Sequence, residues 1–228
     1  MIGVQKLDTH NKSQKIFLQN ASHEFRTPIM SIQCHAEGIL YGVVDSREAA
    51  KIILEESKRL THMVEELLYL SRLDAIEEIY TQDAIDITEL IRATCKRLSA
   101  IAEENHTTIR LDFEKENLLV CGDSDKLERC FSNVITNCIR YAESRVDIRA
   151  SGFPDKIRIT ASDDGPGFEE NEEKNIFNRF YKGKKGNTGL GLAISKSIVE
   201  KHHGAITARN TPDGAQFIIE LPVVSNKK

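Results

Sequence analysis

The sequence predicts an α + α/β chain: an N-terminal helical hairpin that pairs with a second copy into a four-helix bundle, followed by an α+β sandwich. Three observations predict it. Apolar residues recur at gaps of three, four and seven along the first third of the chain. After about residue 84 the pattern changes to short alternating runs interleaved with further helix patterns. Between the two, "SRLDAIEEIYTQDA" carries neither period and puts the boundary near residues 75–84. The expected division is 1–78 for the hairpin, 79–84 for a linker and 85–228 for the sandwich.

The first helix is read from the stripe Leu18, Phe25, Ile29, Ile32, Ala36, Ile39 and Val43. "DSREAA" then offers Asp45 or Ser46 as N-cap, and a second stripe runs through Ala49, Ile53, Leu60, Met63, Leu67 and Leu70. A short connection makes these an antiparallel pair. Their apolar surface exceeds what one hairpin hides, so a second copy completes a bundle. Further on, "IDITELIRATCKRLSAIAEEN" reads as a strand entry and a helix, and "TTIRLDF" and "NLLVCG" as strands. "DSDKLERCFSNVITNCIRYA" is a capped helix, and "RVDIRAS" and "KIRITASDD" are paired strands about the turn "FPD". "LAISKSIVEKHHG" is a helix closed by Gly204, and the last segment is a hairpin around Pro212-Asp213-Gly214. Helices with antiparallel strands imply helices on one sheet face.

Composition excludes several classes. Lys and Arg number 31 against 35 Asp and Glu, for a net charge of −4, and no basic run stands out. Nucleic acid is therefore not an expected partner. No apolar run reaches membrane-spanning length. The five cysteines are odd in number and lack a Cys-x-x-Cys pair, which argues against a disulfide framework or zinc site and for reduced, mostly buried thiols.

One helix carries an anomaly. In "NASHEFRTPIM", His23 lies about 180° from Ile32 and about 160° from Phe25 at roughly 100° per residue, so it faces water rather than the stripe. Pro28 removes the bond back toward Glu24 and is expected to bend the helix after His23. A neutral imidazole is a nucleophile, and Glu24 stands beside it to orient or deprotonate it.

Three stretches supply what such a nucleophile could attack. Asn133, Asn137, Arg140 and Tyr141 share an arc of about 100° beside a buried helical stripe. Their amide oxygens suit Mg²⁺, which takes few protein ligands and leaves the rest to water and phosphate. "SDDGPGF" sets Asp163, Gly165 and Gly167 directly after a strand, where a carboxylate can accept from an exocyclic amine and glycines admit close backbone approach. "KGKKGNTGLGLAIS" places Gly183, Gly186, Gly189 and Gly191 among lysines ahead of a helix, an anion site with a short basic lid from Lys182 to Thr188. Each alone is weak; together they supply different parts of one ligand.

Nearly the whole chain resembles the sensor histidine kinases of two-component signalling. "SHEFRTP" resembles their H box, "NVITNCIRY" the N box, "DDGPG" the first glycine box, "IFNRFYK" the F box and "GLGLAIS" the second glycine box, in family order. The resemblance implies a dimerisation and phosphotransfer bundle followed by an ATP-binding sandwich shared with DNA gyrase. It implies His23 as phosphoacceptor, Glu24 as its base, and Thr27 in a His-Glu-x-x-Thr pattern that also supports dephosphorylation of the partner. Asn137, helped by Asn133, would hold Mg²⁺ on the phosphates of ATP; Arg140, standing where many members have lysine, would supply a phosphate cation. Tyr141 would cover the adenine and Asp163 accept from its amine. Gly165 and Gly167 would admit the backbone, Thr188, Gly189, Leu190 and Gly191 would frame the triphosphate, and Arg179 and Lys182 would reach the γ-phosphate. The implied partners are a second copy of the chain and the receiver domain of a response regulator, in the cytoplasm, with the chain the cytosolic part of a longer receptor. Two alternatives stay open: an ATP-driven machine without kinase activity, which leaves the H box unexplained, and a degenerate kinase that only docks or sequesters a partner.

Overall fold

In the computed structural model the chain divides into two compact units, Met1–Tyr69 and Leu70–Lys228. The structure describes residues 2–75, 83–183, 186 and 188–223, with the side chains of 2–16, 18 and 75 outside that description. The expected linker therefore lies mostly outside the described residues, as do positions 184, 185 and 187 of the basic lid and the side chain of Leu18.

The first unit holds α1 (Ile2–Leu40) and most of α2 (Ser46–Ala75). Helix α1 runs unbroken through Pro28. It ends in a Schellman turn: Gly42 takes φ 66°, and the Val43 amide donates to the Gly38 carbonyl at 3.0 Å. Of the two candidate N-caps for α2, the structure selects Asp45, whose Oδ1 accepts from the Glu48 amide at 2.8 Å. The buried positions are Ala21, Pro28, Gly38, Ala49, Met63 and Glu66, a seam richer in small residues than the sequence stripe. Stripe members Ile29 and Val43 remain 50% and 75% exposed, so a single chain leaves much of the predicted apolar face uncovered.

The second unit continues from the end of α2 through β1 (Asp83–Asp86), α3 (Ile87–Arg97), α4 (Ser99–Glu104), β2 (Thr108–Phe113), β3 (Leu119–Gly122) and α5 (Ser124–Tyr141). It finishes with β4 (Arg145–Gly152), β5 (Lys156–Asp163), a single 3-10 turn (Glu172–Lys174), α6 (Gly191–Lys201), β6 (Ala205–Thr211) and β7 (Gly214–Pro222). The expected single helix after β1 is broken at Leu98 into α3 and α4. Five strands form one sheet in the order β2-β4-β5-β7-β6, and β1 pairs with β3 in a separate ribbon.

The sheet is mixed, where the sequence reading had only antiparallel strands. β2 runs parallel to β4, from Thr108 opposite Arg145 to Phe113 opposite Ala150. The chain between them passes through β3 and α5, long enough for a crossover that a hairpin cannot make. Alternation buries Val146, Ile148, Ala150, Ile157, Ile159, Ala161, Phe217, Ile219 and Leu221 on one face, against Leu127, Phe131, Val134, Ile194 and Ile198 from α5 and α6. The other face presents Arg149, Arg158, Thr160, Thr207 and Arg209.

Helices α5 and α6 are tied side by side. Asp123 caps α5 through its Oδ1 on the Lys126 amide at 3.1 Å. At the same end of the pair, the buried ring of His202 accepts the Asp123 amide on Nε2 at 3.0 Å and donates from Nδ1 to the Ile198 carbonyl at 2.7 Å. Burial holds the His202 pKa below its ordinary value, which keeps the ring in this neutral form. Midway, Ser195 Oγ donates to the Cys130 carbonyl at 3.3 Å.

The end of α6 corrects one expectation. The residue in the left-handed conformation is His203, at φ 57°, not Gly204. Gly204 is required for space, because a Cβ there would lie 2.3 Å from the Glu220 carbonyl oxygen and 2.9 Å from Leu221 Cδ2. Gly204→Ala is therefore expected to cost about 2 kcal/mol through overpacking against backbone, read as a lowered urea midpoint of the whole chain.

Candidate functional site

The first unit contributes one surface. His23 and Thr27, one turn apart, are both exposed, and Glu24 between them is half-buried and already engaged. The ring lies on the solvent side of α1, as its angle from the stripe predicts. Ile29 and Met30 on the following turn are exposed as well.

The second unit contributes a cluster of polar groups and glycines at the end of β5, the central strand of its sheet. Alternation along β5 turns Lys156, Arg158, Thr160 and Ser162 outward and Asp163 inward. Asp163 is only 4% exposed. Its Oδ1 accepts from the Gly165 amide at 3.1 Å and from the Ala215 amide at 3.5 Å, while Oδ2 is buried with no hydrogen-bond partner. Burial pushes this carboxyl above its ordinary pKa, against the pull of those two amides. A buried carboxylate oxygen left bare is costly, and a donor brought from outside would satisfy it.

Glycines form the rest of this corner by close approach. A Cβ on Gly165 would lie 2.2 Å from the Tyr141 carbonyl oxygen, so this turn sits flat against the end of α5. Gly167, at φ 76°, faces the side chain of Asn210, which clamps the turn to β6 with two bonds. Asn210 Oδ1 accepts from the Phe168 amide at 2.7 Å, and its Nδ2 donates to the Phe168 carbonyl at 2.9 Å.

Helix α5 lines the wall. Asn133 Nδ2 donates to the Gly191 carbonyl at 2.9 Å, joining this wall to the first turn of α6. Asn137 and Arg140, half-buried, make no side-chain hydrogen bond among the described residues and lie one and two turns further along. Tyr141 closes α5, and a Cβ on Gly183 would sit 2.9 Å from its hydroxyl, which places Gly183 beside the tip of that ring. Thr188 is buried, with Oγ1 accepting the Leu190 amide at 3.3 Å; Gly189 takes φ 72° against the backbone of Phe180 and Tyr181. The Leu190 side chain is wholly buried, so this residue meets the pocket only through its backbone. Lys182 is half-buried and engaged.

The structure thus gathers Asn133, Asn137, Arg140, Tyr141, Asp163, Gly165, Gly183 and Gly191 around one end of the sheet. Arg179 is directed elsewhere: its Nη2 meets Asp74 Oδ2 at 2.6 Å, both within the second unit. Three residues were missed. Asp164 accepts four hydrogen bonds from residues 143–145, Asn210 clamps the glycine turn, and Tyr181 donates to Glu172 Oε1 at 2.9 Å. Only the first carried a signal, an acid doubled after a strand. Among the described residues no group of three or more His, Cys, Asp and Glu side chains could hold a metal, and no helix is long and apolar enough to cross a membrane.

Two family models match the chain. Residues 13–76 match the His Kinase A (phospho-acceptor) domain, and residues 122–225 match the histidine kinase-, DNA gyrase B- and HSP90-like ATPases. The sensor histidine kinase CssS of Bacillus subtilis is 32% identical over 222 residues, covering 96% of this chain and 49% of that protein. The sensor protein kinase WalK of Staphylococcus epidermidis is 34% identical over 226 residues, covering 92% of this chain and 37% of that protein. The chain thus spans about half or less of the length of these relatives. Among solved structures, the Acinetobacter baumannii histidine kinase AdeS superposes with a TM-score of 0.75 at 26% identity, over 88% of this chain and 98% of that one. An exposed histidine in a matched phospho-acceptor domain, followed by a matched ATPase domain, leads to one conclusion: the chain belongs to the sensor histidine kinases of two-component signalling.

Proposed function

We propose that this chain binds ATP in the pocket at the end of β5, moves the γ-phosphoryl group to His23, and passes it to an aspartate of a response regulator. The observation that carries the reading is the bare, buried Oδ2 of Asp163, an acceptor matched to the exocyclic amine of adenine. Tyr141 flanks it and would cover the base. In the transfer, a ring nitrogen of His23 forms a bond to the γ-phosphorus as the bond to the bridging oxygen breaks and ADP leaves. Glu24 would take the ring proton. Arg140 and Lys182 would meet phosphate charge, with Thr188, Gly189, Leu190 and Gly191 offering backbone amides around it. Arg179 would join them only after leaving Asp74.

The pocket's donor set fits Mg²⁺. Asn137 carries an amide oxygen that accepts no hydrogen bond among the described residues, and Asn133 offers its Oδ1 while its amide nitrogen holds Gly191. Few protein oxygens are what this ion takes when phosphate supplies the others. The metal would neutralise charge on the phosphates.

His23 must be exposed because it meets two macromolecular surfaces in turn, the ATP domain and the receiver. Thr27, exposed one turn on, supports a second activity: positioning water to remove phosphate from the regulator. The uncovered Ile29, Leu54, Val64 and Leu68 support a homodimer through the hairpins. The absence of any described membrane-spanning helix accords with a cytoplasmic location for this part of the protein. The division into 1–78, 79–84 and 85–228 follows the same reading.

His23→Gln is expected to abolish autophosphorylation while leaving ATP binding intact. Incubation with γ-labelled ATP and a gel assay for acid-labile, base-stable phosphoprotein checks it; label retained on the variant refutes the acceptor. Asn137→Ala should weaken Mg-ATP binding by roughly tenfold or more, measured by calorimetry with and without the metal.

Asp163→Asn should trade function for stability. The folded state holds the Asp163 proton more tightly than the unfolded chain, so this carboxyl costs nothing below its unfolded pKa of about 3.9. Stability is lost as pH rises through the raised folded value. At neutral pH the amide variant is expected to be about 1 kcal/mol more stable, with the gain vanishing in acid, while adenine nucleotides no longer bind. Urea titrations at several pH values, with a nucleotide-binding assay at pH 7, check both halves.

A further inference from the structure

We propose that Asp164 is the positioning residue that sets the spacing between the adenine acceptor and the asparagine wall, and thereby sets how strongly the pocket prefers ATP over GTP. This rests on reading the pocket as a nucleotide site.

Three residues, Ala142, Glu143 and Ser144, connect α5 to β4, and the amides of Glu143, Ser144 and Arg145 go to one side chain. Asp164 Oδ1 accepts from the amides of Glu143 at 3.0 Å, Ser144 at 3.0 Å and Arg145 at 2.9 Å. Its Oδ2 accepts from Ser144 Oγ at 2.6 Å. The Asp164 amide in turn donates to the Arg145 carbonyl at 3.2 Å, so the residue holds this turn from both its main chain and its side chain. Burial works to raise the Asp164 pKa, but the Ser144 hydroxyl and the three amides hold it well below the usual carboxylate range. The carboxyl is therefore an anion at neutral pH.

Neighbours on a strand point to opposite sides, and here that alternation divides the labour. Asp163 turns inward and leaves one oxygen for a ligand; Asp164 turns outward and grips the turn that follows α5. Gly165 then lies against the Tyr141 carbonyl, with no room for a Cβ. The end of β5 and the end of α5 are thus joined twice within three consecutive residues, through Asp164 to residues 143–145 and through Gly165 to Tyr141. Asn133, Asn137 and Tyr141 keep their distance from Asp163 because this junction is rigid.

Base selectivity is what such rigidity would deliver. Asp163 is an acceptor, matched by the adenine amine and opposed by the guanine carbonyl at the same ring position. A buried polar group rejects the mismatched base only while it is held where the base must meet it. Releasing residues 143–145 lets the wall shift by the small distance that separates a hydrogen bond from a poor contact. Phosphate contacts, made by several flexible groups, suffer less.

The test uses the whole chain with Mg-ATP and Mg-GTP as probes, affinities by calorimetry and folding by thermal melts. Asp164→Ala is expected to weaken ATP by roughly tenfold and GTP by less, so the preference for ATP falls. Asp164→Asn, which keeps an acceptor for the three amides, should recover most of the wild-type preference. If Asp164→Ala does not fold, Ser144→Ala removes only the 2.6 Å bond and should lower the preference in the same direction, by about threefold. A folded Asp164→Ala, or in its place Ser144→Ala, that retains the wild-type ATP to GTP ratio overturns the proposal, even if both affinities fall together with the melting temperature. Failure of the unaltered chain to prefer ATP defeats the nucleotide reading itself and this proposal with it.

Discussion

A buried carboxylate with one oxygen unsatisfied is the constraint around which the second unit is organised. Burying Asp163 is costly, and the fold meets that cost only halfway, with amides from Gly165 and Ala215 on a single oxygen. Placing it at the end of the central strand gives it neighbours on both sides: β4 toward α5, and β7 whose first residues supply the second amide. Gly214 lets β7 start this close, since a Cβ there would fall 2.3 Å from the Asp163 carbonyl oxygen. The glycines near the acid are thus accounted for by the contacts around them, and the bare oxygen would be accounted for by the proposed ligand.

Much of this was legible in the sequence because periodicity reports which face of an element is buried. Helices α1, α2 and α5, the β4–β5 and β6–β7 pairs and the exposed His23 all followed from spacing. Spacing says nothing about which strand lies beside which, and so the parallel β2–β4 pairing and the β1–β3 ribbon were missed. It also cannot separate glycine needed for conformation from glycine needed for room, which is why Gly204 was credited with a turn that His203 makes. In the site, residues that would touch a ligand stood in recognisable patterns. Asn210 and the grip of Asp164 did not, because their partners lie 42 and about 20 positions away.

The two units treat exposed chemistry differently. In the hairpin, small residues at Ala21, Gly38 and Ala49 are buried while larger apolar side chains such as Ile29 and Met30 stay in water, beside an imidazole that must also stay there. In the sandwich, three of the four cysteines are buried, and Cys121 on β3 is exposed. Burial pushes the Cys95 thiol up to about 11 and the Cys130 thiol up to about 12, and raises that of Cys138 as well, so these sulfurs remain protonated and inert. One unit is built for contact, the other for enclosure.

The fastening of α5 to α6 has a mechanical meaning. Asn133 joins them at the pocket, Ser195 midway and neutral His202 at the distal end, so neither helix can swing without carrying its neighbour. Two walls that look separate in the chain therefore behave as a single stiff jaw. Any widening of the cavity must come from the opposing side, where a glycine turn is held by the carboxamide of Asn210.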